Sequence, residues 1–110
     1  MKKKVTTPPE PPASVSHMVE EVVGCKWSVT VLALITSGVS RPGAMQRRVR
    51  GLTAKVLNER LKKLLRFGII ERQMFAEVPP RVEYRLTTFG KRFNSVIAHI
   101  AALEEERGAG

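Results

Sequence analysis

From Gly51 to Gly68 the chain reads GLTAKVLNERLKKLLRFG, a pattern that fits a helix far better than any other backbone conformation. Val56, Leu57, Leu61, Leu64 and Leu65 gather on one side of a cylinder with about 3.6 residues per turn, while Lys55, Asn58, Glu59, Lys62, Lys63 and Arg66 fall on the other. Both ends are marked. Thr53 can cap the first turn, and Leu52 and Leu57 occupy the two positions of a hydrophobic staple. At the far end Gly68 can turn left-handed, with Ile69 folding back on Leu64. A helix of about four turns is predicted over about residues 53–67, apolar toward a core and cationic outward. A helix with merely solvated lysines would show the same pattern, so its neighbours decide what the charge is for.

The charge is concentrated. Of 110 residues, enough for one small domain, 19 are Lys or Arg and 10 are acidic, a formal net charge of +9. Nine of the basic residues lie between Arg41 and Arg66, where Glu59 is the only acid. Such a patch suits a polyanion, either a nucleic acid or an anionic membrane face. No run reaches the roughly 18 apolar residues of a membrane span, and Lys2-Lys3-Lys4 is followed by prolines where a signal peptide would be apolar. A cytoplasmic protein with no membrane partner is expected. Cys25, a single cysteine, can form no internal disulfide and gives no zinc framework.

Along the chain, residues 1–13 combine three lysines with four prolines and read as a flexible basic arm. The domain proper is expected over residues 14–106. A short helix follows from Ser14 or Ser16 to a break at Gly24. KWSVTVLALITSG then leaves almost no polar face; Gly38 and Val39 repeat the ending seen at Gly68, with Leu34 as partner, which favours a buried core helix over a strand. Ser40 can cap a third helix, with Pro42 in its first turn, running through Ala44, Met45 and Val49. A short turn separates it from the cationic helix, as in a helix-turn-helix. IIERQMF and VEYRLT are β-rich runs joined by AEVPPR, so a hairpin with a proline-stiffened tip is predicted over about residues 69–87. The last helix, over about residues 88–106, carries Phe89, Phe93, Val96, Ile97, Ile100 and Leu103 in a heptad-like stripe that asks for a partner surface, most economically a second copy.

The fold class is therefore mainly α with a small β-hairpin: a winged helix-turn-helix with terminal dimerisation helices. A major groove about 12 Å wide admits one helix, and a hairpin tip reaches the backbone beside it. Ala54, Lys55, Asn58 and Glu59, in the first turns of the cationic helix, are the candidates for base edges. Asn58 has the donor and acceptor pair that adenine presents, and Lys55 can donate to guanine. Arg41, Arg47, Arg48, Thr53, Lys62, Lys63 and Arg81 are the candidates for backbone phosphates, which set register without reading sequence. Arg60 lies toward the core side and is a weaker choice.

Three stretches carry a family resemblance: EVPPRVEYRLT from Glu77 to Thr87 followed by Gly90, GCKW from Gly24 to Trp27, and GLTAKVLNERLKKL from Gly51 to Leu64. Over about Val22 to Phe93 the chain resembles the HxlR family of bacterial winged-helix transcriptional regulators, relatives of the MarR group. The resemblance implies a homodimer, joined through its terminal helices, that binds a pseudo-palindromic operator on double-stranded DNA. Two features depart from the family pattern. Pro42-Gly43 stand where an aromatic and a polar residue are usual, and the N-terminal cysteine of redox-responsive members is absent, with Ser14 near its place. Cys25 instead replaces the second glycine of the family's GGKW.

At a helix start beside Lys26, Cys25 is a candidate redox site, although a small buried side chain in place of glycine explains it equally. His17 and His99 have no Cys or His at ligand spacing, and no metal or cofactor is expected. The chain has no Asp, and its glutamates lie mostly on charged faces or in the run Glu104 to Glu106. Ser28 has no base near it in sequence. No nucleophile and base can be assembled, so an enzyme is not expected. The sequence thus reads as a sequence-specific, double-stranded DNA-binding transcriptional regulator, a dimeric repressor. The alternatives are a winged-helix module whose basic face meets an acidic protein, non-specific nucleic-acid packaging, or a redox-gated regulator acting through Cys25.

Overall fold

The computed structural model describes residues 13–108, so of the arm expected over residues 1–13 only Ala13 falls within the described part. α1, Val15–Val23, starts where Ser14 Oγ accepts the His17 N–H at 3.0 Å, and it buries Met18 and Val22. α2, Lys26–Thr36, is the apolar segment, and Val31, Leu32, Leu34 and Ile35 put it at the centre of the core. Its end is the predicted one: Gly38 has φ +96°, the Val39 N–H donates to Leu34 O at 2.9 Å and the Gly38 N–H to Ile35 O at 3.1 Å.

α3, Pro42–Arg48, begins one residue later than a Ser40 cap would place it. Arg41 is the capping residue, without a side-chain cap bond. Proline has no N–H and a φ already helical, so it belongs at the first helical position, and it forces the residue before it to be extended. Ser40 is stitched elsewhere: its carbonyl accepts the Tyr84 N–H at 2.8 Å. Met45 is buried, with Ala44 and Val49 packed against the same core. The Gln46 amide spans the turn to Leu52 O at 3.4 Å, and the indole of Trp27 lies close under Gly51.

α4, Ala54–Arg66, is the cationic helix. Thr53 Oγ1 accepts the Val56 N–H at 3.2 Å, and Leu52 and Leu57 are both buried, as the staple requires. Leu57, Leu61 and Leu64 face the core, with Val56 and Leu65 half-buried beside them. The Ile69 N–H returns to Leu64 O at 3.0 Å across Gly68, whose φ is +75°. β1, Ile70–Phe75, then pairs antiparallel with β2, Arg81–Leu86, from Ile70 opposite Leu86 to Phe75 opposite Arg81.

α5, Thr88–Gly108, is joined to the rest by a knot of hydrogen bonds centred on Thr87. Thr87 Oγ1 donates to Gly68 O at 2.6 Å and accepts the Gly90 N–H at 2.8 Å, while the Thr87 N–H donates to Ile69 O at 3.1 Å. Gly90 sits so close to the segment just before β1 that a Cβ on it would lie 1.8 Å from Ile69 O. Among the described residues no helix is long and apolar enough to cross a membrane.

Phe93 and Ile97, expected in a dimer interface, are 2% and 5% exposed and belong to the chain's own core. The stripe divides because a straight helix turns about 100° per residue. Phe93 and Ile97 set the inward direction; Ile100 lies about 40° round the helix from it and is half-buried, while Phe89, Val96 and Leu103 lie about 60° to 100° round and are 38%, 46% and 47% exposed.

Candidate nucleic-acid interface

With Leu57, Leu61 and Leu64 turned inward, the opposite side of α4 has to carry Ala54, Lys55, Asn58, Glu59 and Lys62, and all five are exposed. Arg41, Arg47, Arg48 and Thr53 are exposed beside them on α3 and at the start of α4. Among the described residues none of these cations takes part in an ion pair, and neither does Arg50 in the turn between the two helices. A row of free positive charge thus runs from α3 over the turn and along α4.

Two open grooves flank the helix pair. One is lined by Arg41, Pro42, Gly43, Ala44 and Arg47 of α3 and by Pro80, Arg81 and Val82 at the start of β2. The other lies between α4 and the hairpin and is lined by Asn58, Leu61, Lys62, Leu65, Arg72 and Tyr84. Arg72 is exposed and has no acid partner among the described residues, yet it is absent from the contacts expected from sequence. The signal was present: in IERQMF it shares strand parity with Ile70, and opposite Tyr84 it stands on the hairpin face that looks toward α4.

Two of the expected phosphate contacts are engaged within the chain. Lys63 Nζ is hydrogen-bonded to the Glu21 carboxylate of α1, with its side chain 25% exposed. That bond, and then the Lys63 charge, hold the Glu21 carboxyl below its usual 4.5, against the opposing effect of burial; the nearby His17 adds a smaller lowering. Arg81 lies between Glu77, at 3.2 Å, and Glu83, at 3.3 Å, with its guanidinium 4.0 Å from the centre of the Phe75 ring. Arg81 therefore braces the hairpin loop by ion pairs and a cation–π contact rather than projecting from it. Both cations thus have acid partners within the chain, which the sequence spacing did not show.

Cys25 is half-buried at the start of α2. Lys26, its expected cationic neighbour, turns instead over the Trp27 ring at 5.8 Å. Burial pushes the Cys25 thiol up, but the Ser28 hydroxyl and N–H, the Arg60 guanidinium and the Trp27 N–H outweigh it and leave the thiol below its ordinary 9.0. His17 meets the edge of Phe67 at 6.1 Å, and His99 is exposed on α5. Among the described residues no three His, Cys, Asp or Glu side chains are grouped to hold a metal ion.

A helix, a turn, a second helix with an exposed cationic face and a two-stranded wing can be compared with known proteins as a unit. The description "HxlR-like helix-turn-helix" matches residues 22–109. The chain belongs to the HxlR family. It is 33% identical over 82 residues to YtcD, an HTH-type transcriptional regulator of Bacillus subtilis, which covers 74% of this chain and 65% of YtcD. It is 41% identical over 92 residues to an HTH-type transcriptional regulator of Methanothermobacter thermautotrophicus, 84% of this chain and 67% of that protein. The chain thus spans about two thirds of the length of these HTH-type relatives. Among solved structures, a MarR-family transcriptional regulator from Enterococcus faecalis superposes with a TM-score of 0.74 at 27% identity, covering 86% of each chain. The family is one of helix-turn-helix transcriptional regulators, and the winged-helix fold is shared with these neighbours.

Proposed function

We propose that this HxlR-family chain binds double-stranded DNA sequence-specifically, as a homodimer on a pseudo-palindromic operator, and represses transcription by occluding that site. The observation that carries the reading is the unpaired cationic row: Arg41, Arg47, Arg48, Lys55 and Lys62 are exposed, without acid partners among the described residues, on a helix pair of groove-filling size. Residues 14–106 act as one unit. α4 enters the major groove with Ala54, Lys55, Asn58 and Glu59 toward the base edges, and Thr53 meets the backbone at the helix start. Arg72 joins the phosphate contacts, and Lys63 and Arg81 leave them. Phe89, Val96, Ile100 and Leu103 supply the chain's half of the interface between copies.

Selection of bound fragments from genomic DNA, followed by footprinting, tests this. The expected result is a site with two-fold symmetry and half-sites about one helical turn or slightly more apart. No retardation of any duplex at micromolar protein and moderate salt would favour an acidic protein partner instead. Equal affinity for all duplexes would favour non-specific packaging.

A further inference from the structure

The excess of positive charge stops at the wing. Residues 70–86 hold three arginines and three glutamates, whereas nine basic residues and one acid lie between Arg41 and Arg66. Within the hairpin Arg81 is held by Glu77 and Glu83, and Arg85 Nε donates to the Glu71 carboxylate at 2.9 Å, so among the described residues only Arg72, low on β1, is left without an acid. What the far end exposes instead is apolar. Met74 is 61% exposed, and Val78, in the loop between the strands, is fully exposed beside the exposed Pro79 and Pro80. Val78 contributes nothing to the core, yet the loop that carries it is stiff: Arg81 ties Glu77 to the Phe75 ring, the Glu77 N–H donates to Phe75 O at 2.9 Å, and the two prolines fix their own φ. A loop so held loses little conformational freedom when it binds.

The groove between α3 and the end of this loop has the unpaired Arg41 and Arg47 on one side and Pro80 on the other. With α4 in the major groove, the backbone that Arg41 and Arg47 hold is the ridge between the two grooves of the duplex. A hairpin with six-residue strands, about 20 Å long, carries Val78 over that ridge to the minor groove. We propose that Val78 is a specificity-determining residue, resting on the minor-groove floor beside each half-site and favouring A·T over G·C there, and that Arg81 is the positioning residue that holds its loop. Selection works by exclusion. Every pair presents purine N3 and pyrimidine O2 as acceptors on that floor, and a G·C pair adds the guanine 2-amino group. That group obstructs a valine methyl and carries N–H donors that valine cannot accept, so contact strips its water and gives nothing back. An uncharged contact releases no counterions and leaves the salt dependence alone. The inference rests on the DNA-binding reading and adds to it a preference at base pairs that α4 does not reach.

The test is a set of anisotropy titrations of the full chain on duplexes built from a selected site, with each base pair flanking a half-site changed in turn to A·T, G·C or inosine·cytosine. An inosine·cytosine pair has the minor-groove floor of A·T and the major-groove edge of G·C, so it separates the two grooves. At one or two flanking positions per half-site, G·C should weaken binding at least about fivefold relative to A·T, and inosine·cytosine should restore it. Val78→Ala, a change at a fully exposed side chain that leaves the fold alone, should reduce that preference below about twofold with the slope of log affinity against log salt unchanged. Arg81→Gln should lose the preference in the same way, again without a change in slope. If Arg81→Gln disturbs the hairpin by circular dichroism, Val78→Ala decides alone. A flanking preference that inosine does not relieve, no flanking preference, or one that survives intact in Val78→Ala overturns the role of Val78 and leaves the DNA-binding reading standing. A slope reduced by about one in Arg81→Gln makes Arg81 a phosphate contact and overturns its positioning role. Failure of the wild type to bind any duplex overturns the DNA-binding reading and this inference with it.

Discussion

Lys62 and Lys63 are adjacent in sequence and differ in everything that matters for a polyanion. Lys62 is exposed without an acid partner among the described residues; Lys63 is hydrogen-bonded to Glu21 on a helix 42 positions away. Lys62→Ala should therefore weaken binding alike on all duplexes and reduce the slope of log affinity against log salt by about one, whereas Lys63→Ala should leave that slope nearly unchanged. Titrations at several salt concentrations measure both. The same pair has a pH signature. Because Lys63 lowers the folded-state pKa of Glu21, the bridge contributes stability at pH values above the ordinary 4.5 and loses it as the pH falls through the lower folded value. Thermal melts of wild type and Glu21→Gln should thus differ at neutral pH and converge in acid. Helical spacing shows that Lys62 and Lys63 both lie off the apolar stripe, but it carries no information about an acid on another element. For the same reason the pairing of Arg81 with Glu77 and Glu83 was not legible, although all three stand within seven residues.

At the scale of elements, what the sequence revealed was local. The Thr53 cap, the Leu52–Leu57 staple and the endings at Gly38 and Gly68 each involve residues within about five positions, and each is present with ordinary bond lengths. The start of α3 was misplaced by one residue because Ser40 is a better capping side chain than Arg41, and the demand of Pro42 for an extended predecessor overrode that preference. The hairpin was legible from alternation, and strand parity put Arg72 on the face of Ile70, but which element that face meets depends on how α4 packs beside the hairpin. Gly90 was noticed only as part of a resemblance; its physical reason is the Ile69 carbonyl lying where a side chain would begin. Gly90→Ala should therefore cost more than about 2 kcal/mol, read as a lower denaturant midpoint, because the obstructing atom is backbone and cannot rotate away.

For the whole molecule, the stripe on α5 was visible in sequence, but its division between core and surface was not. A heptad-like spacing specifies a face and leaves open which neighbour meets each part of it. The exposed part sets the prediction. Val96→Glu together with Leu103→Glu should give a monomer with unchanged helical content, seen as a halved mass in light scattering, and should weaken operator binding. Phe93→Ala should instead destabilise the chain by about 3–5 kcal/mol, because its side chain lies in the core.

The bonds that Thr87 makes to Gly68 and Gly90 fasten the tail end of α4 to the first turn of α5 with no slack between them. In the proposed dimer, clasped along α5, that clamp would work like the fixed joint of a caliper, holding the two copies of α4 at one stride. A loosened joint, such as Thr87→Val would leave, should broaden the range of spacer lengths tolerated between half-sites while the preferred letters in each stay the same.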